Sequence, residues 1–219
     1  MSAVPGGVSL SPWLMGPGRI RLMSAKSHAE RRMTSSQSQQ PITVEEYYTR
    51  AQIGLIDPDA RVELIEGEVI DMAPIGNRHG YAVDLLNARL CALADDKAIV
   101  RVQGALRLSN ITELQPDVSL LKMRADRYRE SQACGTDALL VIEVSDTTLR
   151  KDMEVKTPLY ARHGVPEVWI VDLQQNRIRF LRSPQGGRYR DITSATEPGS
   201  TPVPGLAGAE IALAALFDR

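Results

Sequence analysis

The chain has 219 residues, of which 43% are hydrophobic and 5% aromatic, with a formal net charge of −1. This length suits one domain with a substantial core, and the low aromatic content disfavours a stacking platform for single-stranded nucleic acid. The charge excludes the overall basic surface common among DNA-binding proteins, and because Arg and Lys predominate in residues 1–40, the rest of the chain is acidic.

Cysteine usage and hydropathy indicate a cellular compartment. Cys91 and Cys134 lie far apart, without metal-binding spacing, which fits a reducing environment. No stretch approaches the roughly 18 apolar residues that a membrane span needs. The early apolar segment 8–16 contains Pro12 and ends at Gly16, unlike a signal-peptide core. We therefore expect a cytoplasmic protein.

The first 40 residues differ in composition from the rest. They are rich in Gly, Pro, Ser and Gln, which predicts a disordered N-terminal tail over residues 1–40 and a folded domain over 41–219. Regular patterns begin only after Met33, which makes that residue a candidate start. Thr43 and Glu46 have the spacing of a capping box and predict a helix that continues to about Gly54.

Alternating patterns then predict a hairpin. The segments 62–65 and 69–72 flank Glu66 and Gly67, a pair typical of a tight turn. A helix is predicted next, with an apolar face of Val83, Leu86, Leu90 and Leu93.

The second half of the chain is mostly strand-like. Strands are predicted over 99–108 and 118–123, and the apolar run 138–144 predicts a central strand buried on both faces. A helix over 149–163 ends at Gly164. The remaining predicted elements are strands at 168–173 and 177–181, an edge strand at 188–192 and a short helix at 210–217. This order predicts an α/β or α+β domain with one mixed central sheet flanked by helices.

Three polar residues stand out in this pattern. Asp117 and Glu143 lie at the edges of strand-like runs, where a carboxylate is costly unless a cation compensates it. Lys156 follows on the next predicted helix. Two carboxylates, a divalent cation and a lysine together can form a site that cleaves a phosphodiester.

These residues belong to collinear segments that resemble the Uma-two family of restriction-endonuclease-like proteins, within the PD-(D/E)XK nuclease superfamily. The matching segments cover roughly residues 43–217: 61–69 with Met72 and Pro74, His79, 116–118, 143–145 with Thr148, Asp152 and Lys156, and 160–172. The resemblance implies a restriction-endonuclease-like fold and an Mg²⁺- or Mn²⁺-dependent endonuclease acting on DNA. It also implies that Asp117 and Glu143 bind the metal.

One departure from the parent nuclease motif concerns the lysine. Ser145 stands two residues after Glu143, where the general motif has Lys. The resemblance moves this role to Lys156, which would orient the attacking water or stabilise the transition state. Lys151 is its rival, although five residues along a regular helix place it on another face. Val155 and Leu159 are expected to pack on the sheet.

Two further residues complete the predicted catalytic set. Glu63 shares a strand face with Ile65, which points it towards the site as a third carboxylate while Val62 and Leu64 fill the other side. His79, at a helix entry, is a candidate site residue; the alternative is an exposed histidine. Asp117 could instead be a turn residue, and Glu143 a buried acid paired with arginine.

The other polar residues have more ordinary interpretations. We expect Asp152 to pair with Lys156 along the helix, Ser145 to bond to the local backbone and Trp169 to lie in the core. Five arginines near the C-terminal strands are candidates for phosphate contacts or for a solvated sheet edge: Arg177, Arg179, Arg182, Arg188 and Arg190.

A second function class stays open on sequence grounds. The acidic body and scarce aromatics favour a catalytically inactive nuclease-fold module that binds nucleic acid or protein, whereas the complete acid–acid–lysine set favours the enzyme. A homodimer is an option because cleaving both strands of a duplex needs two sites, although no interface signature indicates one.

Overall fold

The computed structural model describes residues 40–57 and 59–217. The predicted disordered tail therefore lies, apart from Gln40, outside the described residues. The helices and strands are, in chain order, α1 (Val44–Gln52), β1 (Val62–Ile65), β2 (Glu68–Asp71), α2 (Asn77–Ala94), β3 (Ala98–Val102), β4 (Leu106–Ser109), β5 (Thr112–Leu114), β6 (Val118–Lys122), β7 (Ala133–Cys134), β8 (Ala138–Ser145), α3 (Leu149–Lys151), α4 (Thr157–Arg162), β9 (Glu167–Asp172), β10 (Arg177–Gln185), β11 (Arg188–Ala195), β12 (Ser200–Pro202) and β13 (Glu210–Ala212).

A six-stranded mixed sheet forms the centre of the fold. Its order is β11-β10-β9-β8-β6-β3, and only the β8–β9 pair is parallel. The run 138–144 forms β8 and is buried along nearly its whole length, as predicted for a central strand. β11 lies at the edge, also as predicted. The mixed sheet and accompanying helices confirm the predicted fold class.

A second sheet, which was not predicted, has the order β2-β1-β5-β4-β7. The single strand expected over 99–108 was wrong for this reason: β3 ends at Val102 in the first sheet, and β4 begins at Leu106 in the second. Gln103 adopts a φ of 48° between them, a backbone conformation that ends an extended run. Gly104, next to Gln103, is a residue type that strands disfavour, and it marks the change of sheet within this otherwise strand-like segment.

The helix cap and the hairpin turn that the sequence predicted are both present. Thr43 caps α1, its side chain accepting a hydrogen bond from the Glu46 amide at 3.1 Å. In the β1–β2 hairpin, Glu66 and Gly67 have φ values of 48° and 86°, which matches the two left-handed positions of a type I′ turn.

The central sheet has two differently built faces. On β8, Leu140, Ile142 and Val144 pack with α2, while Val141 belongs to the cluster on the opposite face, together with Leu159 of α4. Glu143 alternates with these residues and therefore shares the face of Val141. This places the Glu143 carboxylate on the side of the sheet that faces the helical residues 149–162 and the second sheet.

The predicted C-terminal helix over 210–217 was wrong in its first half. Residues 210–212 form β13, which pairs with β12, and only 214–217 are helical, as one 3₁₀ turn. Ile211 is buried between two exposed neighbours, a period of two that fits a strand. None of the helices in the described ranges is long and apolar enough to cross a membrane.

Candidate active site

A cavity of about 310 Å³ lies where the two sheets and the helical segment after β8 meet. Its walls come from β1, the loop 72–76 and the start of α2. Asp117, just before β6, the end of β8 and the segment 146–156 complete them. Six of the charged groups that line this cavity, called the site cluster below, are Glu63, Asp117, Glu143, Asp152, Lys151 and Lys156; Arg61, Asp71 and Asp146 also line it.

Sheet register brings Asp117 and Glu143 together. Val118 pairs with Ile142 in the antiparallel β6–β8 ladder, so the next position along places Asp117 across from Glu143 on one face. Asp117 Oδ2 accepts a hydrogen bond from the Val144 amide at 2.8 Å. The two acids line one cavity, as their positions at the ends of strand-like runs predicted; metal ligation stays a prediction.

Lys156 contacts three acids of the site cluster, Glu143, Glu63 and Asp152. Its Nζ is 3.1 and 3.2 Å from the two carboxylate oxygens of Glu143, 2.9 Å from Glu63 Oε1 and 4.0 Å from Asp152 Oδ1. Only 5% of its side chain is exposed. The predicted i,i+4 pairing with Asp152 is therefore present but long, and the closest partners come from β1 and β8.

The helical segment is interrupted where it passes the site. Residues Asp152–Lys156 form a π-helical turn, in which the Thr157 amide donates to the Asp152 carbonyl five residues earlier. Such turns occur often at functional sites. Because residues five apart align across this turn, Lys151 and Lys156 share one face, and Lys151 Nζ lies 3.1 Å from Glu63 Oε2.

Two predictions made for a regular helix are therefore wrong. Lys151 does not lie on a different face from Lys156; both contact Glu63. Val155 does not pack on the sheet, since 40% of it is exposed, whereas Leu159 is buried as expected. The extra residue in the turn rotates Val155 outward and Lys151 inward.

The predicted positions of Glu63 and His79 agree with the structure. Glu63 is buried, accepts a hydrogen bond from the Gln115 amide at 3.0 Å and faces away from Val62 and Leu64. His79 lines the cavity, and its Nε2 lies 3.1 Å from Asp117 Oδ1. Its buried Nδ1 has no hydrogen-bond partner among the described residues. The catalytic roles of both residues stay predictions.

Tyr160 is a site residue that sequence reasoning missed. It is fully buried, and its hydroxyl donates to Glu143 Oε1 at 2.5 Å. The available signal was its spacing of four residues from Lys156, which places both side chains on one helix face. Tyr160 and Lys156 together hold the Glu143 carboxylate against the sheet.

Asp152 is held by side-chain hydroxyls. Its Oδ2 accepts from Ser145 Oγ at 2.7 Å and from Thr148 Oγ1 at 2.6 Å. The expectation that Ser145 bonds to the local backbone was therefore wrong, because Ser145 shares the site-facing side of β8 with Glu143. This pair of bonds fixes the start of the π-helical turn against the strand end.

Burial and mutual repulsion act on the acids. Burial raises the pKa of Glu143 well above its ordinary value, since Lys156 offsets this only in part while Asp152 and Asp117 add repulsion. Burial also raises the pKa of Asp152, despite Lys156 and the two hydroxyls. Burial is thus the main reason that both carboxyls hold a proton more readily than an exposed acid, and repulsion from neighbouring acids adds to it.

The pKa values of Glu63, Lys156 and Tyr160 reflect different balances of burial and charge. Burial alone would raise the pKa of Glu63, but Lys156 and Lys151 hold it below its ordinary value. Burial alone would lower the pKa of Lys156, yet Glu143 and Glu63 raise it above normal, so the ammonium stays charged. Burial raises the pKa of Tyr160 well above normal, which keeps its hydroxyl a donor.

Charge and donor chemistry of the site cluster fit a hard divalent cation. Its four carboxylates outnumber its two lysines, and carboxylate oxygens are the ligands that Mg²⁺ and Mn²⁺ prefer. Asp117 and Glu143, facing one another across the β6–β8 register, are the residues that would hold such an ion. Within residues 40–57 and 59–217, no three His, Cys, Asp or Glu side chains form a ready-made metal-binding group.

Other candidates lie outside this cavity. Trp169 is fully buried in the core, as expected. Glu66 is a turn residue whose side chain pairs with Arg162 at 2.8 Å. Among the C-terminal arginines, Arg179 and Arg182 form ion pairs with acids on β9. A phosphate would have to displace these acids to bind the two arginines.

Comparison with known proteins gave two matches relevant to this site. The family model described as "Uma2: Putative restriction endonuclease" matches residues 44–214. Among solved structures, a "putative nuclease belonging to DUF820" from Anabaena variabilis ATCC 29413 is similar, with a TM-score of 0.61 and 19% sequence identity over 81% of this chain and 98% of that chain. The structural likeness shows a shared fold. A search of curated proteins found no match.

Proposed function

The chain belongs to the Uma2 family, and from that premise we propose that it is a metal-dependent endonuclease that hydrolyses phosphodiester bonds in DNA. The observation that carries this proposal is the convergence of Asp117 and Glu143 at one cavity beside Lys156. The solved relative named as a nuclease has the same fold. Burying more carboxylates than cations lowers the stability of the fold, so a purely structural role does not explain the site cluster.

Each residue of the proposed machinery has a defined task. Asp117 and Glu143 hold the cation, Asp117 being oriented by the Val144 amide and Glu143 by Lys156 and Tyr160. A bound Mg²⁺ or Mn²⁺ would lower the pKa of a coordinated water and polarise the phosphate.

The flanking residues supply charge and orientation. Lys156 places a permanent positive charge beside Glu143, where it offsets the negative charge that develops on the phosphate. Glu63 keeps this ammonium in place. His79 orients Asp117 through the contact of its Nε2 with Asp117 Oδ1.

The direct test is nuclease activity with controlled metals. Supercoiled plasmid, single-stranded DNA, branched DNA and RNA are incubated with the full chain and Mg²⁺, Mn²⁺ or EDTA. We expect cleavage of DNA that requires the metal and is lost in Glu143→Gln. Metal-independent cleavage, or equal cleavage by that variant, would contradict the proposal.

One observation favours the alternative, a catalytically inactive module that binds nucleic acid or protein. Lys156 and Tyr160 already contact both oxygens of Glu143, so a cation must compete with them. Calorimetric titration with Mn²⁺ separates the two functions: the enzyme binds the ion, and loses binding in Asp117→Asn, whereas the inactive module shows no saturable heat.

Location and assembly complete the proposal. The free, exposed thiols of Cys91 and Cys134 support a cytoplasmic location. A homodimer would place two sites on the two strands of a duplex, and sedimentation of the chain with and without duplex DNA tests that assembly.

A further inference from the structure

The ammonium of Lys156 has little capacity left for a substrate. It carries three protons, and the two oxygens of Glu143 and one oxygen of Glu63 surround it within 3.2 Å. Its side chain is almost completely buried. A phosphate could gain a direct contact only by displacing carboxylates that bind this group on several sides.

Lys151 is in the opposite situation. Its Nζ contacts one carboxylate, that of Glu63, and 28% of its side chain is exposed. It lines the cavity, and it also borders a neighbouring groove formed with Ile65, Ile70 and Val155. The ammonium therefore lies at the boundary between buried acids and the space that a substrate would enter.

Glu63 does not depend on Lys151 alone. It also has Lys156 at 2.9 Å and the Gln115 amide at 3.0 Å, so the Lys151 ammonium can turn to another anion without leaving a buried carboxylate unpaired. Arg61, another cation of the cavity wall, is tied to the Ala73 carbonyl at 2.8 Å. Lys151 is thus the cation best placed to move.

We propose that Lys151 contacts a non-bridging oxygen of the substrate phosphate directly, while Lys156 acts through Glu143 and Glu63. This inference rests on the proposed function. The π-helical turn is the structural device that makes it possible, because it aligns two lysines five residues apart: one buried among the acids, one at the cavity surface. In a regular helix the second lysine would point elsewhere.

The test measures DNA binding as a function of salt, because each phosphate contact contributes about 0.9 to the slope of log K against log salt. A fluorescent duplex oligonucleotide is titrated with the full chain in Ca²⁺, and cleavage is followed in parallel in Mn²⁺. The variants are Lys151→Ala, Lys151→Arg and, as a matched control, Arg150→Ala. Arg150 is the adjacent cation, paired with Glu154 at 2.8 Å and largely exposed.

Lys151→Ala should reduce the salt slope by about 0.9 and weaken binding roughly fivefold to tenfold at 0.1 M salt. Lys151→Arg should restore most of the slope, and Arg150→Ala should match the wild type. Thermal melting checks that each variant is folded. A residue that merely supported Glu63 would change stability but leave the slope unchanged.

The outcomes separate two failures. If the wild type binds and cleaves DNA but Lys151→Ala keeps the wild-type slope, the assignment of Lys151 is wrong and the nuclease proposal stands. An equal loss in Arg150→Ala also overturns the assignment, because the effect is then general surface charge. If the wild type neither binds nor cleaves DNA, both proposals fail.

Discussion

The site cluster and the β9–β10 ladder solve the burial of acids in different ways. In the ladder, each acid has its own arginine: Asp172 pairs with Arg179 at 3.0 Å, and Glu167 with Arg182 at 2.9 Å. In the site cluster, four acids face two lysines: three of those acids lie within 4.0 Å of Lys156, and Asp117 contacts His79 instead. One region is balanced pair by pair, and the other has unneutralised negative charge.

The comparison shows which buried charges indicate function. A pair such as Asp172 and Arg179 is complete by itself and locks two neighbouring strands at one register. In the site cluster, burial and, to a lesser degree, repulsion between the acids raise the pKa of Glu143 and Asp152, which favours a bound proton or cation there. The unbalanced region is the one we assign to catalysis.

The sharpest contrast between the regions is in activity. Glu143→Gln should reduce the rate of DNA cleavage by roughly 10²–10³-fold, because a metal contributes several kcal/mol to the transition state and each 1.36 kcal/mol is tenfold. The measurement is single-turnover cleavage at saturating Mn²⁺.

Asp172→Asn provides the control for that change. It should keep the cleavage rate but lower the free energy of unfolding by about 1–3 kcal/mol, because Arg179 loses its charged acceptor while staying partly solvated. If Glu143→Gln kept full activity, or if Asp172→Asn lost it at unchanged folding, the division into a catalytic and a structural region would be wrong.

The second contrast lies between the two lysines. Lys156→Ala should lower the free energy of unfolding by about 3–5 kcal/mol, because it leaves Glu63 and Glu143 buried without their shared cation. Lys151→Ala should cost at most about 1 kcal/mol, since its side chain is partly exposed. Urea denaturation measures both.

The Lys156 substitution has the larger expected cost of the two. The near-complete burial of the side chain is the reason. Equal and small losses in the two variants would show that water enters the site cluster freely.

A third prediction concerns the stabilisation of the folded protein by a divalent cation. Mn²⁺ at ten times its dissociation constant should stabilise the wild type by about 1.4 kcal/mol, which is about 3–6 °C in melting temperature for a domain of this size. The Asp117→Asn variant should gain much less. Ca²⁺ and Mn²⁺ giving no shift in the wild type would contradict the metal site.

The smallest expected effect concerns Asp152 and pH. Because its folded pKa lies above its ordinary value of 3.8, the wild type is favoured by protonation at low pH and loses that contribution as pH rises through the folded pKa. Asp152→Asn should therefore be more stable than the wild type by about 1 kcal/mol at pH 8, with a difference that shrinks towards pH 4. Thermal melts between pH 4 and pH 8 without metal check the trend; a constant difference would contradict it.

Local patterns were sufficient for the parts of the site that lie on strands. The alternation within β1 already placed Glu63 on the face of Ile65, since side chains alternate with a period of two, and the apolar run of β8 placed Glu143 near a strand end. The hairpin turn at Glu66 and Gly67 and the cap at Thr43 followed from residue type, because those conformations depend on one or two residues.

The helical part of the site could not be predicted in the same way. A π-helical turn has no distinct composition, and it persists here because tertiary contacts, such as Ser145 with Asp152, fix its start. The one-residue insertion it represents reversed the expected positions of Lys151 and Val155. Tyr160 was missed because its partner lies 17 residues earlier on a strand.

The sequence by itself therefore determined most of the helices and of the central-sheet strands, the family resemblance and the acids at the strand ends, because these depend on local periodicity and on residue identity. Tertiary structure decided the division into two sheets at Gln103, the alignment of the two lysines and the imbalance of charge around Glu143. These features depend on which segments meet in space, and the free energy of burying one carboxylate depends on every other charge brought beside it.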